Sequence, residues 1–401
     1  MKAVVTGMIG NYAVGGVAWD YGQYATALER LGYEVYYLED TGMPVYDPQR
    51  GEYGEDCSFA LRFLEQSLGR LSPRLAARWR FVNTDMEGRS RGYGLDDATF
   101  RAVLREADLF LNVSNSALMR DEYLECRRRV LIDTDPGLNH FKSYLGWKEG
   151  ERGWLGTHGW HAHDHFFTYA LNLGLPDCPL PDFGKRWHPT RPPVVMADWN
   201  NDRPPGAAWT TVMTWKNFPK LIEHDGHRYG AKELEFPLIE TVPGRVPARF
   251  EVAVGGNEAP RERWRAAGWQ VLDSHAATAD VDVYRDYITG SRGEFSVAKN
   301  IYVATHCGWF SCRTVCYLAA GRPAVVQDTG FSRHFPCGAG LHAFSDTAGA
   351  IAALEAVERD PVGHGCAARD IARVYFDSDA VLGEILAVAG LPERIRTSCP
   401  P

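Results

Sequence analysis

Residues 305–330 constrain this chain more than any other stretch: Thr-His-Cys-Gly-Trp-Phe-Ser, then Cys-Arg-Thr-Val-Cys-Tyr-Leu-Ala-Ala-Gly-Arg-Pro, then Ala-Val-Val-Gln-Asp-Thr-Gly. The pattern predicts a strand over 301–305, a tight turn at Gly308, a helix opening at 309–311, a Gly-x-Pro break and a second strand over 324–327. Such a unit fits a parallel sheet crossed by helices. The free N–H groups at the helix start, with its dipole, favour an anion, most often a phosphate. Gly308 lets a ligand approach the backbone closely.

The chain opens in a similar way. A β-branched run over 2–6 ends at Gly7, and a glycine-containing loop follows over 10–16. Tyr21, Tyr24, Leu28 and Leu31 then recur at helical spacing over 17–31, Gly32 closes the helix, and 34–38 is the next strand. The turn Gly7-Met-Ile-Gly10 is not Gly-x-Gly-x-x-Gly, which disfavours a dinucleotide oxidoreductase. More strands are expected at 80–82, 108–113 and 130–133. A Pro- and Trp-rich connection spans 176–206. Beyond it, strands are expected at 194–197, 210–213, 250–254, 270–272, 302–304 and 324–326, helical positions at 261–267 and 295–299, and a largely helical end over 348–389. The expected fold is α/β, with two Rossmann-like domains facing across a cleft, over 1–185 and 190–401. Ligands would lie at the carboxyl ends of both sheets.

Composition narrows the partners. Net charge is −8, so neither nucleic acid nor an anionic membrane is the expected partner, and no window is long enough to span a bilayer. The nine cysteines are odd in number and irregularly spaced, as for thiols in a reducing compartment. The N-terminus runs directly into a strand, so a cytoplasmic protein, monomer or homodimer, is expected.

The stretch around Gly308 resembles the donor-binding box of GT-B glycosyltransferases, closest to the plant-type enzymes that use UDP-sugars. His306, Cys307, Gly308, Trp309, Ser311, Gly321 and Pro323 fit that box. Phe310 stands where Asn is usual, and Thr314 where a ribose-holding Glu is usual. Gln327, Asp328 and Thr329 stand loosely at the sugar-reading place. The resemblance implies a nucleotide-diphosphate sugar as co-substrate, UDP or dTDP, with no further cofactor and no metal. It also implies that Arg292, Glu294 and Lys299 flank the donor, with Arg313 either meeting phosphate or serving structure. Trp215, Lys216 and Lys232 follow strand ends, and Trp215 reads as packing.

Glycosyl transfer also needs a base on the acceptor side. No His occupies the loop after the first strand, and Asp20 is the nearest carboxylate; it reads equally as an ordinary first-turn residue. Asp133 and Asp135 end a buried strand. His163, in the run His158 to His165, is another candidate. A metal held by that run is the minor reading, since no third ligand is evident. The leading expectation is transfer with inversion to a small-molecule hydroxyl such as that of a secondary metabolite. A nucleotide-sugar 2-epimerase and a non-catalytic nucleotide-sugar-binding protein stay open.

Overall fold

The computed structural model describes residues 1–47, 52–54, 56–148, 150, 158–216, 220–256 and 258–392. The first sheet has eight strands: β1 (Lys2–Thr6), β2 (Glu34–Glu39), β3 (Trp79–Thr84), β4 (Ser90–Gly94), β5 (Leu109–Val113), β6 (Arg129–Asp133), β7 (His165–Thr168) and β8 (Trp187–Pro189). Their order is β8-β7-β6-β5-β1-β2-β3-β4, parallel except for the β3–β4 pair. The chain reverses its winding between β1 and β5, which opens a crevice at their carboxyl ends.

The second sheet has six parallel strands: β9 (Ala208–Thr214), β10 (Arg249–Gly255), β11 (Trp269–Asp273), β12 (Gly293–Ser296), β13 (Ala324–Gln327) and β14 (Leu341–Phe344). They lie in the order β11-β10-β9-β12-β13-β14, a second doubly wound sheet. Two Rossmann-like units facing across a cleft, the GT-B arrangement, is therefore the fold.

The first helix (Gly15–Arg30) is buried on all sides from Tyr21 to Glu29, between the first sheet and helices of both domains. Gly32, at φ 88°, lets the chain turn so that Tyr33 N–H reaches Leu28 O and Gly32 N–H reaches Glu29 O. At its other end, Gly15 meets the second domain, where an added Cβ would lie 2.0 Å from Asp280 O. Beside this contact Trp19 packs on Trp199 and donates to Val281 O at 2.8 Å. Gln23 Oε1 accepts from Val195 N–H at 3.1 Å and Trp199 Nε1–H at 3.3 Å. The last described helix (Ser378–Val388) lies on the first helix, with Arg30 against Asp379 at 3.3 Å. One apolar cluster runs from Ala3 and Leu28 through Trp199, Val281 and Tyr284 to Val315 and Leu386, so both domains share it.

Three expectations are corrected. The apolar run 301–305 is a short helix (Asn300–Ala304), not a strand. Short apolar runs are ambiguous in period. This one buries Ile301 and Tyr302 between the domains, and β12 takes its place in the sheet. Phe295 and Ser296 therefore belong to a strand rather than to a helix. The stretch 194–197 makes an isolated bridge at Val194 and then a helical turn (Met196–Trp199), as expected beside two prolines that remove ladder donors.

Candidate functional site

A cavity of about 480 Å³ opens between the carboxyl ends of the two sheets. The loop after β1 and the first helix supply Met8, Tyr12, Asp20 and Tyr21. The turns after β5, β6 and β7 supply Ser114, Thr134, Asp135, Asn139 and Tyr169, and the second domain adds Lys299, Tyr302, Trp309 and Cys312. Its walls are mainly aromatic and apolar, with polar groups gathered at the strand ends.

The domains are joined across this cavity. Lys299 Nζ lies 2.6 Å from Asp135 Oδ2, and the Tyr302 hydroxyl donates to the same carboxylate. Trp309 stacks on Tyr302 at 4.2 Å between centroids and donates from Nε1 to Thr134 O at 3.0 Å. Asn172 Nδ2 donates to His306 O at 2.6 Å.

Asp20 is half-buried on the cavity wall. Burial pushes its carboxyl up to about 6, against a partial opposing pull from the Cys312 thiol hydrogen bond. Cys312 is the first residue of the signature helix (Cys312–Ala319), so the candidate base touches the open end of the anion-favouring helix.

Asp133 and His163 do not line the cavity. Asp133 is fully buried, accepting from Asn139 Nδ2 at 2.6 Å and Thr168 Oγ1 at 3.0 Å, and burial raises it to about 7. The next carboxylate along the chain, Asp135, reaches the cavity instead. His163 is enclosed between Trp160 O, 2.5 Å from Nδ1, and Asn112 Nδ2, 3.0 Å from Nε2; burial lowers it to about 4. Among the described residues no group of His, Cys, Asp and Glu side chains is arranged to hold a metal.

On the donor side, Ser311, Thr314, Gln327 and Thr329 line a narrow crevice of about 20 Å³ beside the signature helix. Ser311 caps the helix by position, and its hydroxyl makes no capping hydrogen bond. Gly308, at φ 80°, donates to Thr329 O at 2.8 Å, and an added Cβ would lie 3.0 Å from Leu171. Thr329 Oγ1–H donates to Trp309 O at 2.6 Å. Asp328 accepts from Gly330 N–H at 2.8 Å and Ser332 Oγ–H at 2.6 Å, fixing the turn after β13. Phe310 is buried against Phe331, Phe335 and Phe376, so an apolar cluster occupies the place where Asn is usual.

Arg313 is turned inward. It pairs with the fully buried Glu294 at 2.6 Å and donates to Val212 O at 2.8 Å and Ser296 Oγ at 3.1 Å. Two expected donor residues lie apart from this group. Arg292 precedes β12, at the amino end of the sheet, and pairs with Glu358 at 2.5 Å. His306 has φ 45° and an exposed side chain that lines neither cavity. Lys216 pairs outside with Glu258, and Trp215 packs in the second core on Trp264.

Lys232 is a buried residue to which the sequence assigns no role. It is 8% exposed. Burial, then the charges of Arg313 and Lys299, hold it well below the ordinary lysine range, with Glu294 pulling the other way. An ammonium disfavoured in this way is one that a nearby anion would stabilise. No motif marks it, because a hairpin (Ile222–His224 with His227–Tyr229) and the 300–304 helix place it.

No known family profile and no curated protein matches the sequence. Solved structures do match over nearly the whole chain. AviGT4, a glycosyltransferase involved in avilamycin A biosynthesis, aligns with a TM-score of 0.53 at 10% identity, over 97% of each chain. Sucrose-phosphate synthase from Thermosynechococcus elongatus gives 0.51 at 10% identity, covering 97% of this chain and 98% of its own. Anabaena HepE in complex with UDP and glucose gives 0.51 at 10% identity, covering 97% and 99%. These likenesses establish the GT-B fold.

Proposed function

We propose that the chain is an inverting glycosyltransferase that moves a hexosyl or deoxyhexosyl group from a UDP- or dTDP-sugar to a hydroxyl of a small molecule with an apolar or aromatic body. The observation that carries this reading is that Asp20 and Cys312, the first residue of the signature helix, line the same cavity. A group fitted to proton removal thus faces the helix end fitted to leaving-group stabilisation, the two tasks of the reaction. Structural likeness to the glycosyltransferase AviGT4, and to HepE solved with UDP and glucose, supports it.

In this reading the acceptor lies among Met8, Tyr12, Leu138 and Tyr169. Asp20 takes the hydroxyl proton as the oxygen attacks the anomeric carbon from the face opposite the diphosphate. The bond from that carbon to the phosphate oxygen breaks, and the electron pair leaves with the diphosphate. The helix N–H groups, Ser311 and Lys232 receive its charge. Asp135, neutralised by Lys299, lines the same cavity. A secondary metabolite fits the apolar walls, and a cytoplasmic, monomeric or dimeric enzyme fits the composition.

The test is incubation with UDP- and dTDP-hexoses and a panel of aromatic alcohols, followed by mass spectrometry and NMR of the anomeric proton. A glycoside of inverted configuration is expected. Epimerised donor without glycoside would replace the reading by an epimerase, and binding with neither outcome by a silent sugar-nucleotide-binding protein. Transfer is expected to persist in EDTA. Loss in EDTA with recovery in Mg²⁺ or Mn²⁺ would show that a metal carries the leaving-group charge.

A further inference from the structure

Ser114 and Asn115 follow β5 at the crevice with φ of 59° and 51°, both left-handed. Asparagine tolerates that region because its short amide bonds locally, but serine at φ > 0 is uncommon and strained. Glycine would fit the turn without cost. The chain instead keeps a residue whose hydroxyl faces the cavity, and strain of this sort persists only where surroundings over-determine it.

The surroundings do so here. Thr6 Oγ1 is 3.0 Å from Asn112 Oδ1 and 2.7 Å from Ser116 Oγ, and Val113 N–H donates to Thr6 Oγ1 at 3.2 Å. Ala117 N–H donates to Asn112 Oδ1 at 3.1 Å. Asn112 Nδ2 lies 3.0 Å from His163 Nε2, whose Nδ1–H is committed to Trp160 O. Thr6, Asn112, Ser116 and His163 are all buried. The frame fixes the residues on either side of Ser114, whose hydroxyl lies 2.5 Å from Thr134 Oγ1 and bonds Tyr21, the neighbour of Asp20.

We propose that Ser114, together with Thr134, binds the reacting hydroxyl of the acceptor beside Asp20, and that Asn112 and His163 are positioning residues for Ser114. This rests on the glycosyl-transfer reading and extends it to residues that reading does not use. It gives His163 a part in the reaction without contact to substrate.

The test compares wild type with Ser114→Gly, Ser114→Ala, His163→Leu and His163→Gln, using UDP-glucose and dTDP-glucose with umbelliferone, naphthol and tyramine. Donor Kd, acceptor KM and the partition of donor between transfer and hydrolysis are measured. Ser114→Gly relieves the strain, so its Tm should equal or exceed that of wild type. Its partition toward transfer should nevertheless fall about ten- to a hundredfold, with donor Kd unchanged. His163→Leu should raise acceptor KM but not donor Kd. His163→Gln, which can still accept from Asn112, should recover most of the loss. Wild-type partition in Ser114→Gly and Ser114→Ala overturns the Ser114 assignment alone. Equal changes in donor and acceptor binding in His163→Leu make that residue merely structural. No glycoside from wild type with any donor and acceptor pair removes the glycosyl-transfer reading, and this inference with it.

Discussion

At the residue scale, two groups give sharp expectations. A carboxyl held at about 6 is largely deprotonated at neutral pH yet still a competent proton acceptor. Transfer should therefore rise with pH through about 6, because Asp20 must lose its proton to act. Asp20→Asn should lower turnover about 10²–10⁴-fold and abolish that limb, with little change in donor affinity. A retained limb in the variant would assign the titration to another group. The second group is Lys232. A dianion beside its amine should draw a proton onto it, so diphosphate binding should be accompanied by proton uptake at alkaline pH. Calorimetry in buffers of different ionisation enthalpy would detect this. Lys232→Met should lose both the uptake and affinity worth about 1.5–3 kcal/mol; a variant that binds UDP as wild type does would remove Lys232 from the donor site.

At the scale of elements, the buried end of β6 carries a pH signature. Asp133 has a folded pKa of about 7, above the ordinary carboxylate value. Its contribution to stability is thus present below about pH 4 and lost as pH rises through about 7. Asp133→Asn removes that term, so denaturant titrations should show variant stability gaining on wild type from about pH 4 to 7. A constant difference would show that the carboxyl is ionised throughout. The same element shows what the sequence could convey. β1, the first helix and β2 were legible because their periods are clean and Gly32 ends the helix. Asp20 followed from its place on that helix. Ending a buried strand does not bring both Asp133 and Asp135 to the cavity, because the turn through Pro136 and Gly137 turns only Asp135 to it. β7 and β8 were hidden by histidines and prolines, and β14 by its shortness. Lys232 acquires its setting only when a hairpin and a distant helix close over it, which no local pattern encodes.

At the scale of the molecule, the apolar cluster shared by both halves sets how they come apart. Gly15 against Asp280, with Trp19 on Trp199, closes the halves on each other by direct packing beside the cavity. Cutting there would expose apolar surface on both pieces, at about 25 cal/mol per Å². Scanning calorimetry should therefore show a single endotherm, with equal calorimetric and van't Hoff enthalpies. Two resolved peaks would mean that the clusters confined to each half, around Phe110 and Tyr123 in the first and Trp264 and Trp269 in the second, hold that half folded without the shared one. A single endotherm has a practical corollary: neither half should be expressible alone as a folded protein, and grafting a foreign donor half onto this acceptor half would fail unless the graft carried the Asp280–Tyr284 face with it.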